Sequence, residues 1–461
     1  MRLRISAIFS SIARPHTAGE SLSAVTAGFF LFAPVLACVR IAPITWFKSG
    51  PGYLAFFAAA VAAAGLAVRS IKNEDAPLRL RLIALSPEGW STLAVFSAFL
   101  ALYAVTGFAE TGFNEQARQA VAFLHGHTYI EAPEHSYIEY YQAGPYKYAL
   151  HPALSAILLI PLASIWGLAT PQTAFSIFVG ALDVALAWRL LGRFPLKINA
   201  RIWLTFFFGA GTVFWFETIQ GTSWSLPMVI AVCFILAALI ETFGRARPVW
   251  LGTFAALAGL ARYDLVLCAP VFAGLAYMRG RRIKEVLWMA PGFIVVGVVF
   301  VALNEARFHS FFDMGVILNQ NGPKGQPIFS LRYLPGNLYT IFFMAPAYDS
   351  RFPYIHPTFM GQAIPLTSPA FVLAFRASLR RAEPLMMWFA ALLGSLPSLL
   401  CWMNGYAQFG TRHYVPVFPF LLVLMALGLR RRADQFTKIL IGTSISLVTF
   451  GIWHIHMWGY G

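Results

Sequence analysis

Trp224-Ser-Leu-Pro-Met-Val-Ile-Ala-Val-Cys-Phe-Ile-Leu-Ala-Ala-Leu-Ile-Glu-Thr-Phe243 carries a single charge, Glu241. Roughly 20 predominantly apolar residues span a bilayer as a helix, so this stretch reads as a membrane span. It is one of many. Comparable runs fall near 21–39, 52–68, 92–108, 151–168, 172–190, 200–216, 249–278, 286–303, 333–347, 364–376, 384–402, 413–429 and 437–455. Over the 461 residues, 58% are hydrophobic and only 11% charged. Roughly a quarter of a soluble domain is charged, so a soluble enzyme, a disulfide-stapled secreted domain and a disordered chain are excluded. The sequence predicts an all-α polytopic membrane protein of about 12 to 14 spans.

Two runs are irregular. The stretch 249–278 carries Arg262-Tyr263-Asp264 at its centre and reads as two short helices meeting at a polar break. Charges at membrane depth are tolerated where they face protein or a water-filled cavity. The stretch 333–347 is short and has Pro335 and Pro346 at its margins.

The net charge of +15 lies in short loops between apolar runs, as in Arg279-Gly-Arg-Arg-Ile-Lys284, 376–381 and Arg430-Arg-Arg432. That is the positive-inside pattern beside anionic lipid, and it replaces a nucleic-acid reading. With 69–81, 189–201, 279–284, 376–381 and 430–432 on the cytoplasmic side, 109–150, 217–223, 304–332 and 403–412 emerge on the outer face. The stretch 151–188 then needs an odd number of crossings yet holds two apolar runs. Either one run, with Pro152 and Pro161, is re-entrant or lies along the membrane, or the cations 189–201 are outside. The basic start (Arg2, Arg4, Arg14) reads as a retained cytoplasmic N-terminus, not a cleaved signal. Cys38, Cys233, Cys268 and Cys401 fall inside apolar runs without paired spacing and read as buried thiols. No repeat or attached soluble domain is visible, so 1–461 is one domain.

The chemistry is expected on the outer loops 109–150 and 304–332, since long loops in a compact membrane protein are usually functional. Five of the 19 acids lie between Glu110 and Glu139, interleaved with Tyr129, Tyr137, Tyr140 and Tyr141. From Asn114 to His125 the pattern predicts an amphipathic surface helix, with Ala117, Val121 and Leu124 on one face and Glu115 and Arg118 on another. The plainer reading of these acids is an interfacial helix with solvated carboxylates. Glu217 lies where another run reaches the outer face, and beside Glu115 it would form a pair of acids able to hold an acceptor hydroxyl or a cation. Arg412 and His413 sit at an outer membrane boundary. A snorkelling Arg is the plainer alternative, but charge bias disfavours Arg there, and a lipid phosphate is its natural partner. No HExxH, P-loop or dinucleotide glycine motif occurs, which argues against nucleotide-driven chemistry.

Four stretches resemble the polytopic C-type glycosyltransferases that use polyprenyl-phosphate sugars, the group of the protein O-mannosyltransferases and lipid A aminoarabinose transferases. Glu115-Gln-Ala-Arg118, followed by Gly126, resembles their acidic residue, loop helix and glycine turn. Gly144-Pro-Tyr-Lys-Tyr-Ala-Leu-His-Pro152 resembles "G-x-Y-Y-x-x-K-P-P". Asn304-Glu-Ala-Arg-Phe-His-Ser310 with Asp313-Met-Gly315 resembles "N-x-x-R-F-G-S…T-G", and Phe409-Gly-Thr-Arg-His-Tyr-Val-Pro416 with Pro419 resembles "F-G-P-R-Y-x-x-P-x-x-P". The likeness runs from about 110 to 430. It departs where Glu115 replaces the usual Asp, His151 the usual Lys, and Thr411 the usual Pro.

The resemblance implies transfer of a sugar from a polyprenyl-phosphate donor to a lipid, glycan or protein hydroxyl, at the periplasmic face of the cytoplasmic membrane. It implies Glu115 as general base, kept ionised by Arg118, with Glu217 as helper and Glu110 as the rival base. Arg412, Lys147, His151 and His413 would hold the donor phosphate, and Arg118, Tyr146, Tyr148 and Arg307 would contact substrate. No cofactor is implied, and a divalent-metal requirement stays open. The competing readings are a secondary transporter or lipid flippase, which the polar break at Arg262 would suit, and a polysaccharide polymerase or ligase.

Overall fold

A computed structural model describes residues 87–131, 139–312, 326–429 and 431–459. The runs 21–39 and 52–68, the basic loop 69–81, Cys38, Tyr137 and Asp313 lie outside the described residues.

The chain is mostly helical, with little sheet. Among the described residues, five helices are long and apolar enough to cross a bilayer. They are α1 (Pro87–Thr106), α4 (Gln172–Leu191), the segment Ile283–Phe308 that contains α10 (Ala290–Phe308), α12 (Ala382–Leu400) and α14 (Gln435–Trp458). A sixth forms if α5 (Ile198–Ala210) and α6 (Phe214–Gln220), bent by 48° at their junction, count as one span. Shorter apolar helices fill the bundle: α3 (Leu154–Trp166), α7 (Leu226–Thr242), α8 (Pro248–Ala261), α9 (Ala269–Met278) and α13 (Phe418–Gly428). A surface helix α2 (Glu115–Leu124), a hairpin β1–β2 (Tyr140–Ala143 and Tyr146–Ala149) and a short helix α11 (Leu334–Phe342) complete the set.

The cationic loops gather at one end. Lys197 donates its N–H to the Arg431 carbonyl (2.8 Å), Arg376 pairs with Asp434 (3.0 Å), and Arg201 is paired with Glu88. Arg281 donates to the carbonyls of Arg245 (2.6 Å) and Ala246 (2.9 Å), and Arg279 pairs with Glu383 (2.8 Å). Phe243 joins the two groups, touching the ring of Phe194 and lying under the Arg279 guanidinium. The cations at 189–201 therefore share an end with those at 376–381 and 430–432. We call this the basic end and its opposite the loop end.

That placement resolves the parity conflict at 151–188. Helix α4 finishes at the basic end, so Gln172 is at the loop end, where its Oε1 accepts the Ala117 N–H (3.1 Å). Residue His151, before α3, is also at the loop end, its carbonyl held by Arg307 at the finish of α10 (3.3 Å). Both ends of α3 are thus on one side. It does not cross, and Ile165 and Trp166 at its far end, with Leu168 just beyond, are exposed.

Two expectations for apolar runs are corrected in the same way. In 333–347 the helix has only 9 residues. Its Asn337 amide donates to the carbonyls of Ser398 (3.2 Å), Leu399 (2.8 Å) and Cys401 (2.8 Å). These are orphan acceptors at the C-terminus of α12, so α11 closes that helix end and does not span. The run 364–376 consists of Ile364–Thr367 and a 3-10 turn, Pro369–Arg376.

The run 249–278 forms a helical hairpin, as its polar centre suggests. Helix α8 rises from the basic end, the chain breaks at Arg262, and Tyr263–Met278 returns. Fourteen residues of α8 cover only about 21 Å at 1.5 Å per residue. The break therefore sits below the loop-end surface. Arg262 satisfies its charge there by a two-pronged pair with Asp264 (2.6 and 3.1 Å).

Candidate functional site

Helix α2 lies at the loop end and ends before Gly126, whose φ of +77° suits glycine alone at low cost. Both expected faces of α2 contribute to its buried surface, and Ala117 and Ala120 are fully buried. Glu115, Gln116 and Gln119 are fully buried, whereas Leu124 is 42% exposed. Where the surroundings are lipid, polar side chains turn towards the protein and apolar ones outward.

The Glu115 N–H donates to Ser223 Oγ (2.9 Å), and its carboxylate Oε1 accepts the Glu139 N–H (3.2 Å). The other carboxylate oxygen, Oε2, is buried and has no hydrogen-bond partner among the described residues. Arg118 does not pair with it, contrary to expectation. Its Nε donates to Asn114 Oδ1 (2.9 Å) and its Nη1 to the Glu131 carbonyl (2.8 Å). Glu110, the rival base, is a helix cap: its two oxygens accept the N–H groups of Thr173 (2.9 Å) and Ala174 (3.1 Å) in the first turn of α4.

From Glu115 a series of contacts crosses the loop end. Glu139 places Oε2 4.0 Å from His151 Nε2. The His151 ring meets the indole of Trp224 edge-on, with centroids 6.2 Å apart. Over the same indole lies the Arg412 guanidinium, 5.7 Å from the ring centroid. Arg412 donates to the Tyr406 carbonyl (3.0 Å) and acts electrostatically on Glu217. Glu217 Oε2 accepts from the Ser225 hydroxyl (2.5 Å), while its Oε1 has no partner among the described residues.

The loop Gly221–Ser225 that carries Trp224 is pinned. Gly221 adopts φ +58°, where a Cβ would strike the Thr173 backbone. The Ser223 N–H and Oγ both donate to the Phe113 carbonyl, at 3.0 and 2.8 Å.

Arg307 is 1% exposed. It donates to the carbonyls of Leu303, Ala149 and His151 and to Asn304 Oδ1, at 3.2–3.3 Å, and acts electrostatically on the Tyr263 hydroxyl. Its role is to fix the β2–α3 junction and the polar break, so His151 is held from behind. Arg262 acts electrostatically on His413 and Tyr414, which brings the break beside the Arg412 turn.

The remaining residues read from sequence are on the hairpin. Lys147 lies on β2 opposite Gln142, with its ammonium 4.7 Å from the Tyr140 ring centroid and its carbonyl accepting the Ile130 N–H (2.7 Å). Tyr146 is 45% exposed and packs on Tyr129. Tyr148 is buried against Phe308, and burial pushes its phenol up. Thus Glu115, Glu217, His151, Arg412 and His413 share one site. Glu110, Arg118 and Arg307 serve to hold its frame.

Glu139, Trp224 and the Arg262–Tyr263–Asp264 break were missed as members of this site. The only signals available were an acid–tyrosine alternation, a tryptophan at a loop end and a charged triplet in an apolar run. No group of three or more His, Cys, Asp or Glu arranged to hold a metal ion occurs among the described residues. Cys233, Cys268 and Cys401 are free thiols. Comparison with known proteins finds no matching family model, curated protein or solved structure.

Proposed function

We propose that the loop end transfers a sugar from a polyprenyl-phosphate donor to an acceptor hydroxyl, on the periplasmic side of the cytoplasmic membrane. The observation that carries this reading is a buried carboxylate oxygen of Glu115 without a partner among the described residues, at one end of a series of contacts that reaches the cation Arg412 through Glu139, His151 and Trp224. Transfer needs those two functions separated by the width of a sugar. The acceptor oxygen attacks the anomeric carbon, and its proton passes to Glu115 Oε2. General base catalysis of this kind contributes about 10²–10⁴-fold. The bond from that carbon to the phosphate oxygen breaks, and the electron pair leaves on the phosphate. Arg412 lies on that side to receive the growing charge. Glu217, tied to Ser225, orients Arg412. The lipid tail of the donor would lie in the bilayer beside the apolar helices.

The test is release of free polyprenyl phosphate from a labelled lipid-linked sugar by the purified protein, with envelope extract as acceptor. Release that needs Glu115 supports the reading. No release from any lipid-linked hexose or pentose would sink it.

One observation favours transport instead. Asp183, in the middle of α4, is fully buried, and neither of its carboxylate oxygens has a hydrogen-bond partner among the described residues. Acids at such depth often mark ion or proton paths. Proteoliposome uptake abolished by Asp183→Asn, with sugar transfer absent, would favour that second reading.

A further inference from the structure

Trp224 occupies the position between the acid side and the cation side of the site. The indole touches both His151, in reach of Glu139 and through it of Glu115, and Arg412. Phe113 packs against the same indole at 4.9 Å between centroids, and the ring is half-buried on a loop fixed at Gly221, Ser223 and Ser225. Resting on the transfer reading above, the chemistry says what must lie there. In the reacting complex the acceptor oxygen and the departing phosphate flank one anomeric carbon. Between base and phosphate anchor lies the pyranose ring, which has polar edges and an apolar face of C–H bonds. A rigid indole suits such a face, whereas it offers a phosphate oxygen only its single N–H.

We infer that Trp224 is the sugar platform of the donor site: it stacks on the pyranose ring of a lipid-phosphate sugar and leaves the phosphate to Arg412. The platform is held in place before substrate arrives, because Gly221 is bonded to α4, Ser223 to α2 and the segment before it, and Ser225 to α6. Little ordering remains to oppose binding.

The test uses the full-length protein in detergent, with citronellyl phosphate and its glucosyl, mannosyl and galactosyl derivatives as probes. Wild type should bind at least one glycosylated probe more tightly than citronellyl phosphate. Trp224→Ala should lose about 3- to 10-fold in affinity for that probe, the scale of an aromatic contact, and leave citronellyl phosphate unchanged. Trp224→Phe should recover most of the loss. Arg412→Ala should weaken both probes alike. A Trp224→Ala protein that loses both probes equally, with a lowered melting temperature, would mean that the indole only packs the loop, and the inference falls. Wild-type affinity that is equal for all four probes would overturn the platform while leaving a lipid-phosphate site. Binding of none would overturn the platform and the transferase reading together.

Discussion

Glu110 and Glu115 stand five residues apart and are bonded in opposite ways. Glu110 gives both carboxylate oxygens to the first turn of α4, whereas Glu115, fully buried, leaves Oε2 without a hydrogen-bond partner among the described residues. A cap completes a helix whose first N–H groups have no intrahelical acceptor. A buried carboxylate oxygen with nothing to accept is costly, and it is a natural place for an acceptor hydroxyl to bind.

The two acids should therefore separate on substitution. Glu115→Gln should reduce turnover by about 10²–10⁴-fold with little change in donor affinity or melting temperature. Glu110→Ala should cost about 0.5–2 kcal/mol of stability, the range for loss of a cap, with transfer per folded molecule retained. Single-turnover kinetics and thermal denaturation read the two effects. Normal turnover in Glu115→Gln with loss in Glu217→Gln would move the base to Glu217.

Arg412 and Arg307 should separate too. Arg412→Ala should weaken donor binding, and Arg412→Lys should restore only part of it, since a point charge replaces a planar fork. Arg307→Met should instead destabilise the fold by about 2–4 kcal/mol, because several buried oxygens lose their donor at once. Unchanged donor affinity in Arg412→Ala would leave that guanidinium a structural contact to Tyr406.

Helix α11 makes a prediction about stability. Asn337→Leu keeps the volume but removes the donor to three carbonyls at the end of α12. A loss of about 1–3 kcal/mol is expected, read as a lower melting temperature in detergent. A neutral result would mean that water already serves those carbonyls.

Sidedness can be read by cysteine labelling with a membrane-impermeant reagent. Gln142→Cys on the exposed hairpin should react in intact cells, and Lys284→Cys at the basic end only after lysis. Gln408, in the outer stretch 403–412, is unsuited as a label site because it is fully buried and bonded to the carbonyls of Met360 and Asn404. The reverse labelling pattern would place the candidate site on the cytoplasmic side.

The sequence by itself determined the helical class, the clustering of cations at one end and the polar break at Arg262. Each of these is written locally: apolar run length, the charge of a short loop, and a charged triplet that no single span could carry. It also marked the stretches holding Glu115, Glu217, His151 and Arg412. Only the tertiary structure decided that 151–168 and 333–347 do not cross, because both have the hydropathy of a span and differ only in what their ends touch. Only it told Glu110 from Glu115, since the N–H groups that Glu110 caps are 63 and 64 residues away. That Glu115, Gln116 and Gln119 of α2 are buried beside Ala117 while Leu124 is exposed was hidden for a related reason. Periodicity gives a helix two faces but does not say which one meets lipid. That choice, like the meeting of His151 and Arg412 at Trp224, is made by packing between segments far apart in the chain.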